Sequence, residues 1–387
     1  MTTGFQINGS DWDDLFVRKS TFTEGGLWMW GLNTSGQLGI GNIVHRSSPV
    51  QILSGGSTWK QISSSKAGSF SGGIKSDGSL WMWGGNNLGQ LGNTTRTSRS
   101  SPIQTITGGK NWKQLAIAGA GTTGAIKTDG TIWTWGLNDK GQMGDGTSTN
   151  RSSPVQTVAG DTNWKFVSAG RYGFQAIKTD GTLWLWGGNL TGALGDATNQ
   201  AGKSSPVQTV AGGNNWKMTA GGHQFSAAIK TDGTLWLWGQ NHSGQLGDTT
   251  IVHRSSPVQT VAGGTNWRFV ACGNYSTGAI KTDGTLWLWG SGLNGRLGNN
   301  STISRSSPVQ TVSGGTNWKQ LTLGNEASHA IKTDGTLWAW GSNSNGELAN
   351  GTVTSKSSPI QTLMTNVTWK QVVSGERYAY AIIEDYF

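Results

Sequence analysis

Five histidines, 20 carboxylates and one cysteine are the residues of this 387-residue chain best suited to acid–base, metal or nucleophilic chemistry. Such chemistry needs them grouped, and the sequence keeps them apart. His45, His223, His242, His253 and His329 stand singly, and no His, Asp or Glu set has metal-site spacing. Asp139 and Asp145, in Asn-Asp-Lys-Gly-Gln-Met-Gly-Asp-Gly, faintly suggest a calcium loop, but sister segments lack the first acid. Asp77, Asp129, Asp180, Asp232, Asp283 and Asp334 each precede a glycine, so backbone hydrogen bonding in hairpin turns accounts for them. Cys272 aligns with Ala169 and reads as a buried, inert thiol without a disulfide partner. No enzyme activity, cofactor or metal is expected. Binding is the chemistry that remains.

The positions free to bind are set by a repeat. Trp-X-Trp-Gly occurs seven times, with its first Trp at 28, 81, 133, 184, 236, 287 and 338. The intervals of 53, 52, 51, 52, 51 and 51 residues lie in the range of one propeller blade. Each copy adds Ser-Ser-Pro before an apolar strand, a third Trp, and an Ile-Lys-Thr-Asp-Gly-like turn. Twenty-one of 22 tryptophans and all seven prolines belong to this template, so function must lie where the copies differ.

One copy predicts four strands: a, Pro257 to Val261; b, Trp267 to Ala271; c, ending in Gly278 to Lys281; and d, Leu286 to Gly290. Asp-Gly between c and d marks a tight hairpin. Strand d is apolar on both faces, as a strand lying between two sheets must be. Seven copies without helical periodicity imply an all-β fold, a seven-bladed β-propeller of four-stranded blades. The first copy begins at strand d (Leu27 to Gly31) and the last stops after strand c. The N-terminal strand is therefore expected to complete the C-terminal blade and close the ring without a free sheet edge. Residues 1–24 then form a docking or capping segment, and residues 25–387 the propeller.

Trp-X-Trp-Gly, Gly-Gln-Leu-Gly (Gly36 to Gly39, Gly89 to Gly92, Gly244 to Gly247), Ser-Ser-Pro and Ala-Ile-Lys-Thr-Asp-Gly together resemble the regulator of chromosome condensation repeat family. The resemblance covers residues 25 to 387 and implies the propeller fold. It leaves function open, since similar members include an exchange factor for a small GTPase, a secreted β-lactamase inhibitor, and bacterial and viral proteins. The exchange factor's projecting hairpin wedge has no counterpart here, because the repeats differ in length by only two residues.

In a propeller the a–b and c–d turns share one face, and the b–c turns and d–a loops share the other. The first set is nearly constant. The b–c turns instead carry Gly68-Ser69, Ala120-Gly121, Arg171-Tyr172, His223-Gln224, Asn274-Tyr275, Asn325-Glu326 and Glu376-Arg377. Drift at tolerant loop tips would give such variation. So would an asymmetric face for a protein or glycan, richest from Arg171 onward. The d–a loops vary too, with Ile-Val-His at 43–45 and 251–253. Outside the repeats, Phe5, Trp12, Leu15 and Phe16 are too apolar for a disordered tail and predict docking into an assembly or capping of the ring.

Only 13% of residues are charged, against about 25% in ordinary soluble proteins. The net charge of +9 comes largely from the template, which fixes 20 of 29 cations in three sets: after the third Trp, before the hairpin turn, and before Ser-Ser-Pro. Lysine stems lying over tryptophan would explain such sets, so nucleic acid is an unexpected partner. No apolar run is long enough for a membrane span, and the N-terminus lacks a signal pattern. The expectation is a non-enzymatic binding or structural propeller on a virion (a phage tail or capsid fibre or tip) or extracellular surface, with a cytoplasmic location second. A soluble inhibitor similar to the β-lactamase-binding relative is the alternative, and an exchange factor ranks third.

Overall fold

In the computed structural model, residues 25–53, 59–106 and 108–386 are described, and their 28 strands form seven four-stranded antiparallel sheets. Blade 1 runs Trp59–Ser64, Phe70–Lys75, Leu80–Gly84 and Arg99–Gln104, and blades 2 to 6 repeat this order. Blade 7 is Val367–Ser374, Tyr378–Tyr386, Leu27–Gly31 and Arg46–Gln51. Each b strand touches the b strands of both neighbouring blades, so these strands surround the axis and the blades radiate from it.

Strand a departs from the expectation. It spans Arg254–Gln259, and it pairs with the preceding strand d (Leu237↔Val258, Gly239↔Arg254) as the outermost strand of that sheet. Proline gives the reason. An edge strand has N–H groups facing away from any partner, so a residue without one does no harm there. Each chain end thus gives blade 7 two strands, rather than three and one. The ring still closes as expected, through Leu27–Gly31 on Tyr378–Tyr386, in register from Leu27↔Ile382 to Gly31↔Tyr378.

The three tryptophans of a repeat have separate tasks. The second Trp of Trp-X-Trp-Gly is fully buried. In every blade but blade 3, where Trp186 Nε1 has no hydrogen-bond partner among the described residues, its indole N–H donates to a d–a loop carbonyl of the preceding blade. Trp83 bonds Gln37, Trp135 bonds Gln90 and Trp289 bonds Gln245, each at 2.9 Å. Those carbonyls belong to the Gly-Gln-X-Gly segments, so two sequence signatures meet across each of these blade boundaries. The third Trp stands edge-on to the second, with ring centroids 6.0 Å apart for Trp112 and Trp135. Such aromatic pairs add about 0.5–1.5 kcal/mol beyond area burial. The first Trp donates to the turn threonine (Trp133 to Thr131, 2.9 Å) and lies under a lysine. Lys127 Nζ is 4.0 Å from the Trp133 ring centre and 5.1 Å from that of Trp112. Lys75, Lys178, Lys230, Lys281 and Lys332 repeat this sandwich. In blade 7 the apolar Ile383 takes the position.

Candidate partner-binding face

The variable b–c turns rest on a constant backbone. The residue after each Trp-X-Trp-Gly donates its N–H to the second residue of the variable pair. Gly85 bonds Ser69, Gly188 bonds Tyr172, Gln240 bonds Gln224 and Ser291 bonds Tyr275, all at 2.8 Å. Neighbouring turns also bond each other: Ala120 N–H to Arg171 O (2.8 Å), Arg171 N–H to Gly222 O (2.9 Å), His223 N–H to Asn274 O (3.2 Å). Backbone position is thereby fixed while side chains are not, which is why identity can change here without cost to the fold.

Four of the sequence-predicted residues converge. The Arg171 guanidinium lies over the Tyr172 ring at 5.2 Å and bonds His223 Nε2 at 2.7 Å. Tyr172, His223 and Tyr275 form a ladder across blades 3, 4 and 5, with ring centres 5.7 and 5.1 Å apart. His242, in the blade 4 d–a loop, extends it at 5.2 Å from Tyr275. Burial, then the adjacent Arg171 charge, lowers the His223 pKa to about 4, so its imidazole is neutral. With Nε2 accepting from arginine, Nδ1 carries the proton. That donor and Arg171 Nε are buried without a hydrogen-bond partner, although the Gln240 carboxamide lies beside His223. Tyr172 and Gln224 also line a groove of about 980 Å³ between the d–a loops of blades 2 and 3, walled by Asp139, Lys140, Leu190 and Ser204. Asn274 reaches Asn325, Nδ2 to Oδ1, at 2.7 Å. No hydrogen bond, ion pair or ring contact among the described residues joins Glu326, Glu376 or Arg377 to this cluster. Phe5, Trp12, Leu15 and Phe16 lie outside the described residues.

Besides His242, two residues missed in the sequence complete the face. The b–c turn of blade 1 has five residues, 65–69, against three in blades 3 to 7, and the extra length carries Lys66 across the axis. Its Nζ donates to the carbonyls of Gly221 (3.1 Å) and Cys272 on blades 4 and 5. Burial of this ammonium lowers its pKa. Arg296, almost fully buried, donates through Nε to Leu293 O (2.9 Å) and through Nη1 to Asn325 O (2.8 Å), which holds up the turn beside Tyr275.

The remaining chemistry-bearing residues serve the scaffold. His45 and His253 accept through Nδ1 the N–H of Asn33 and Asn241, both at 2.9 Å, where other blades use Ser98, Asn150, Ser304 or Ser355. Asp145 accepts from Asn138 (3.1 Å) and Thr147 (2.8 Å), whereas Asp139 accepts from Gln142 (2.8 Å), so the two acids have separate partners. Burial pushes the Cys272 thiol up to about 12. Among the described residues no group of three His, Cys, Asp or Glu could hold a metal, and no helix is long and apolar enough to cross a membrane.

On the d–a loops, four successive blades expose aliphatic tips: Ile251 and Val252 (blade 4), Ile303 (blade 5), Val353 (blade 6), Ile43 and Val44 (blade 7). Blades 1 to 3 carry Arg96-Thr97, Ser148-Thr149 and Asn199-Gln200 at these positions instead.

His329 is a second buried imidazole, and it titrates with stability. Its Nε2 faces the Glu347 carbonyl and its Nδ1 the Ser374 hydroxyl, both at 2.8 Å. Since a carbonyl only accepts, the proton is on Nε2. Burial lowers its pKa from 6.5 to about 4. Between about pH 6.5 and pH 4 the unfolded chain therefore binds a proton that the folded chain refuses, and stability falls as pH falls. The full effect is about 3 kcal/mol. His223 shifts in the same direction. Urea midpoints measured from pH 7 to 4.5 should decline, and His329→Gln should remove about half of that decline. An unchanged slope in the variant would mean that other groups set the acid sensitivity.

The RCC1-like domain pattern matches residues 110–386, and the regulator of chromosome condensation (RCC1) repeat matches 24–71 and 77–126. The chain is 30% identical over 348 residues to the ultraviolet-B receptor UVR8 of Arabidopsis thaliana, across 83% of this chain and 74% of that protein. To the mitochondrial RCC1 domain-containing protein RUG3 of the same plant it is 29% identical, across 71% of this chain but only 63% of RUG3. The solved Prp20p of Saccharomyces cerevisiae, studied for its binding to Gsp1p and histones, superposes with a TM-score of 0.81 at 16% identity, over 98% of this chain and 96% of that one. Repeat signatures, seven closed blades and these matches agree: the chain belongs to the regulator of chromosome condensation repeat family.

Proposed function

We propose that the chain is a non-enzymatic binding propeller that holds a folded protein partner against its b–c and d–a face. The observation that carries this reading is the Tyr172–His223–Tyr275–His242 ladder with Arg171, set on three consecutive blades beside six exposed aliphatic tips on four. Tyrosine and arginine dominate interface hot spots. An apolar arc of this kind, bordered by polar loops, is the usual mark of a protein contact surface. A glycan would also stack on the tyrosines, but it would leave the aliphatic arc unused. The binding of Gsp1p and histones by the yeast protein of the same fold supports a protein ligand on such a scaffold.

The test is to titrate a partner isolated with the wild-type chain against Tyr172→Ala/Tyr275→Ala. We expect at least a 30-fold loss of affinity, about 2 kcal/mol, at unchanged Tm. A partner that bound the double variant as tightly as wild type would place the interface elsewhere. The reading of the chain as part of a virion or other assembly depends on Phe5, Trp12, Leu15 and Phe16, and stands or falls with residues 1–24 rather than with this face.

A further inference from the structure

Of the three template sets of cations, one stands on the innermost strands with five of its seven members unpartnered among the described residues. The lysines before the hairpin turn lie between tryptophans. In the set before Ser-Ser-Pro, Arg254 pairs with Asp248 (3.0 Å) and Arg151 with Asp145 (3.8 Å). The set after the third Trp differs. In all seven blades the b–c ladder slips at this residue, between Trp59 and Gln61 in blade 1 and at the matching place in the others. A bulge re-aims the side chain it carries. Here it turns a cation out of the ladder at the end of the innermost strand, beside the axis on the a–b and c–d face.

Two of these seven are engaged. Arg268 donates to the carbonyls of Lys281, Trp318 and Lys319, and Lys319 pairs with Glu384 at 3.2 Å. The other five, Lys370, Lys60, Lys113, Lys165 and Lys217, stand on consecutive blades 7, 1, 2, 3 and 4. They are exposed, without an ion pair or hydrogen bond among the described residues. Farther from the axis, the c–d turns carry six aspartates. Hydrogen bonds from the turn Thr or Ser keep their carboxyls acidic, with Asp77 down at about 2. Each of these aspartates has the sandwiched lysine two residues before it, so the turns are close to neutral. The unpaired positive charge is concentrated around the axis, where it focuses the field on the channel mouth.

We infer that the axial mouth on this face binds a compact multivalent anion, several phosphates on one small scaffold, through Lys370, Lys60, Lys113, Lys165 and Lys217. An extended duplex would lie mostly over these near-neutral turns. A small ligand on the axis would not. This site is independent of the partner face.

Calorimetric titration with inositol hexakisphosphate as probe should show one saturable site per chain that weakens as salt rises. Lys113→Gln/Lys165→Gln/Lys217→Gln should lose at least tenfold in affinity, and the Lys→Arg triple should keep it within threefold. Removing equal charge from the opposite face, by Arg96→Gln/Arg99→Gln/Lys203→Gln, should change affinity less than twofold. Absence of saturable binding would overturn the inference. So would equal losses in both Gln triples, or a 20-base-pair duplex that bound as tightly with the same lysine dependence.

Discussion

Replacing Gly187 with alanine should cost about 3–5 kcal/mol of stability and dislodge Tyr172 from the ladder. Gly187 ends the Trp-X-Trp-Gly of blade 3 at φ +103°, and the other six such glycines lie between +96° and +104°. Only glycine adopts that backbone easily. Space is the second constraint. A Cβ there would sit 2.3 Å from Tyr172 O and 2.6 Å from Gly173 Cα. Both are backbone atoms, so no side chain can swing aside. Relief would require breaking the Gly188 N–H to Tyr172 O bond of 2.8 Å, the link that fixes the b–c turn. Strain, crowding and a lost buried hydrogen bond together reach the severe end of single substitutions. Gly212→Ala separates the causes. Gly212 also has positive φ (+52°), yet nothing lies within 4 Å of an added Cβ. It should cost only about 1–2 kcal/mol, the price of the left-handed conformation. Urea unfolding of both variants, with amide exchange at Gly188, measures the difference. Equal losses would show that conformation alone selects glycine and that the turn does not depend on this contact.

The same glycine shows how much of the fold the sequence carries. Strands c and d are legible because Asp-Gly fixes the hairpin between them, and strand d is apolar on both faces. Strand a is legible as a strand but not in its sheet. Ser-Ser-Pro reads as a boundary, whereas Arg254 already pairs with Gly239 and the proline rides on the edge. Copy-to-copy variation at Arg171, Tyr172, His223 and Tyr275 is visible, since a constant template makes exceptions stand out. Lys66 is not, because aligning the turns on their glycine hides the two added residues. His242 and Arg296 escape for a different reason: each belongs to one blade in sequence and serves the turn of another place in space. Three sets of cations look equivalent along the chain. Only the tryptophan sandwiches, the loop ion pairs and the bulges tell them apart.

A chain cut after Arg377 should fail to fold cooperatively, whereas one joined at the seam and opened elsewhere should fold as well as the parent. The cut removes Tyr378, Tyr380, Ile382 and Ile383, all essentially buried. At about 1.5–3 kcal/mol for each large apolar side chain, their burial amounts to roughly 6–12 kcal/mol, comparable to the whole stability of a domain. It also strips Leu27–Gly31 of its ladder and leaves blades 6 and 1 facing a gap. Joining the ends is the converse. Gly25 N–H bonds Ile383 O, and Ile383 N–H bonds Gly26 O, both at 3.0 Å. Blade 7 therefore lacks only the c–d turn that the other six possess. A chain running from Ile383 through Thr-Asp-Gly-Thr into Leu27, and opened between Gly212 and Gly213, has every sheet built from contiguous strands. Thermal unfolding should then be a single transition near the parent Tm, with slower amide exchange across Leu27–Gly31. If the permuted chain unfolded well below the parent while the cut chain stayed native, the seam would not be what closes the ring.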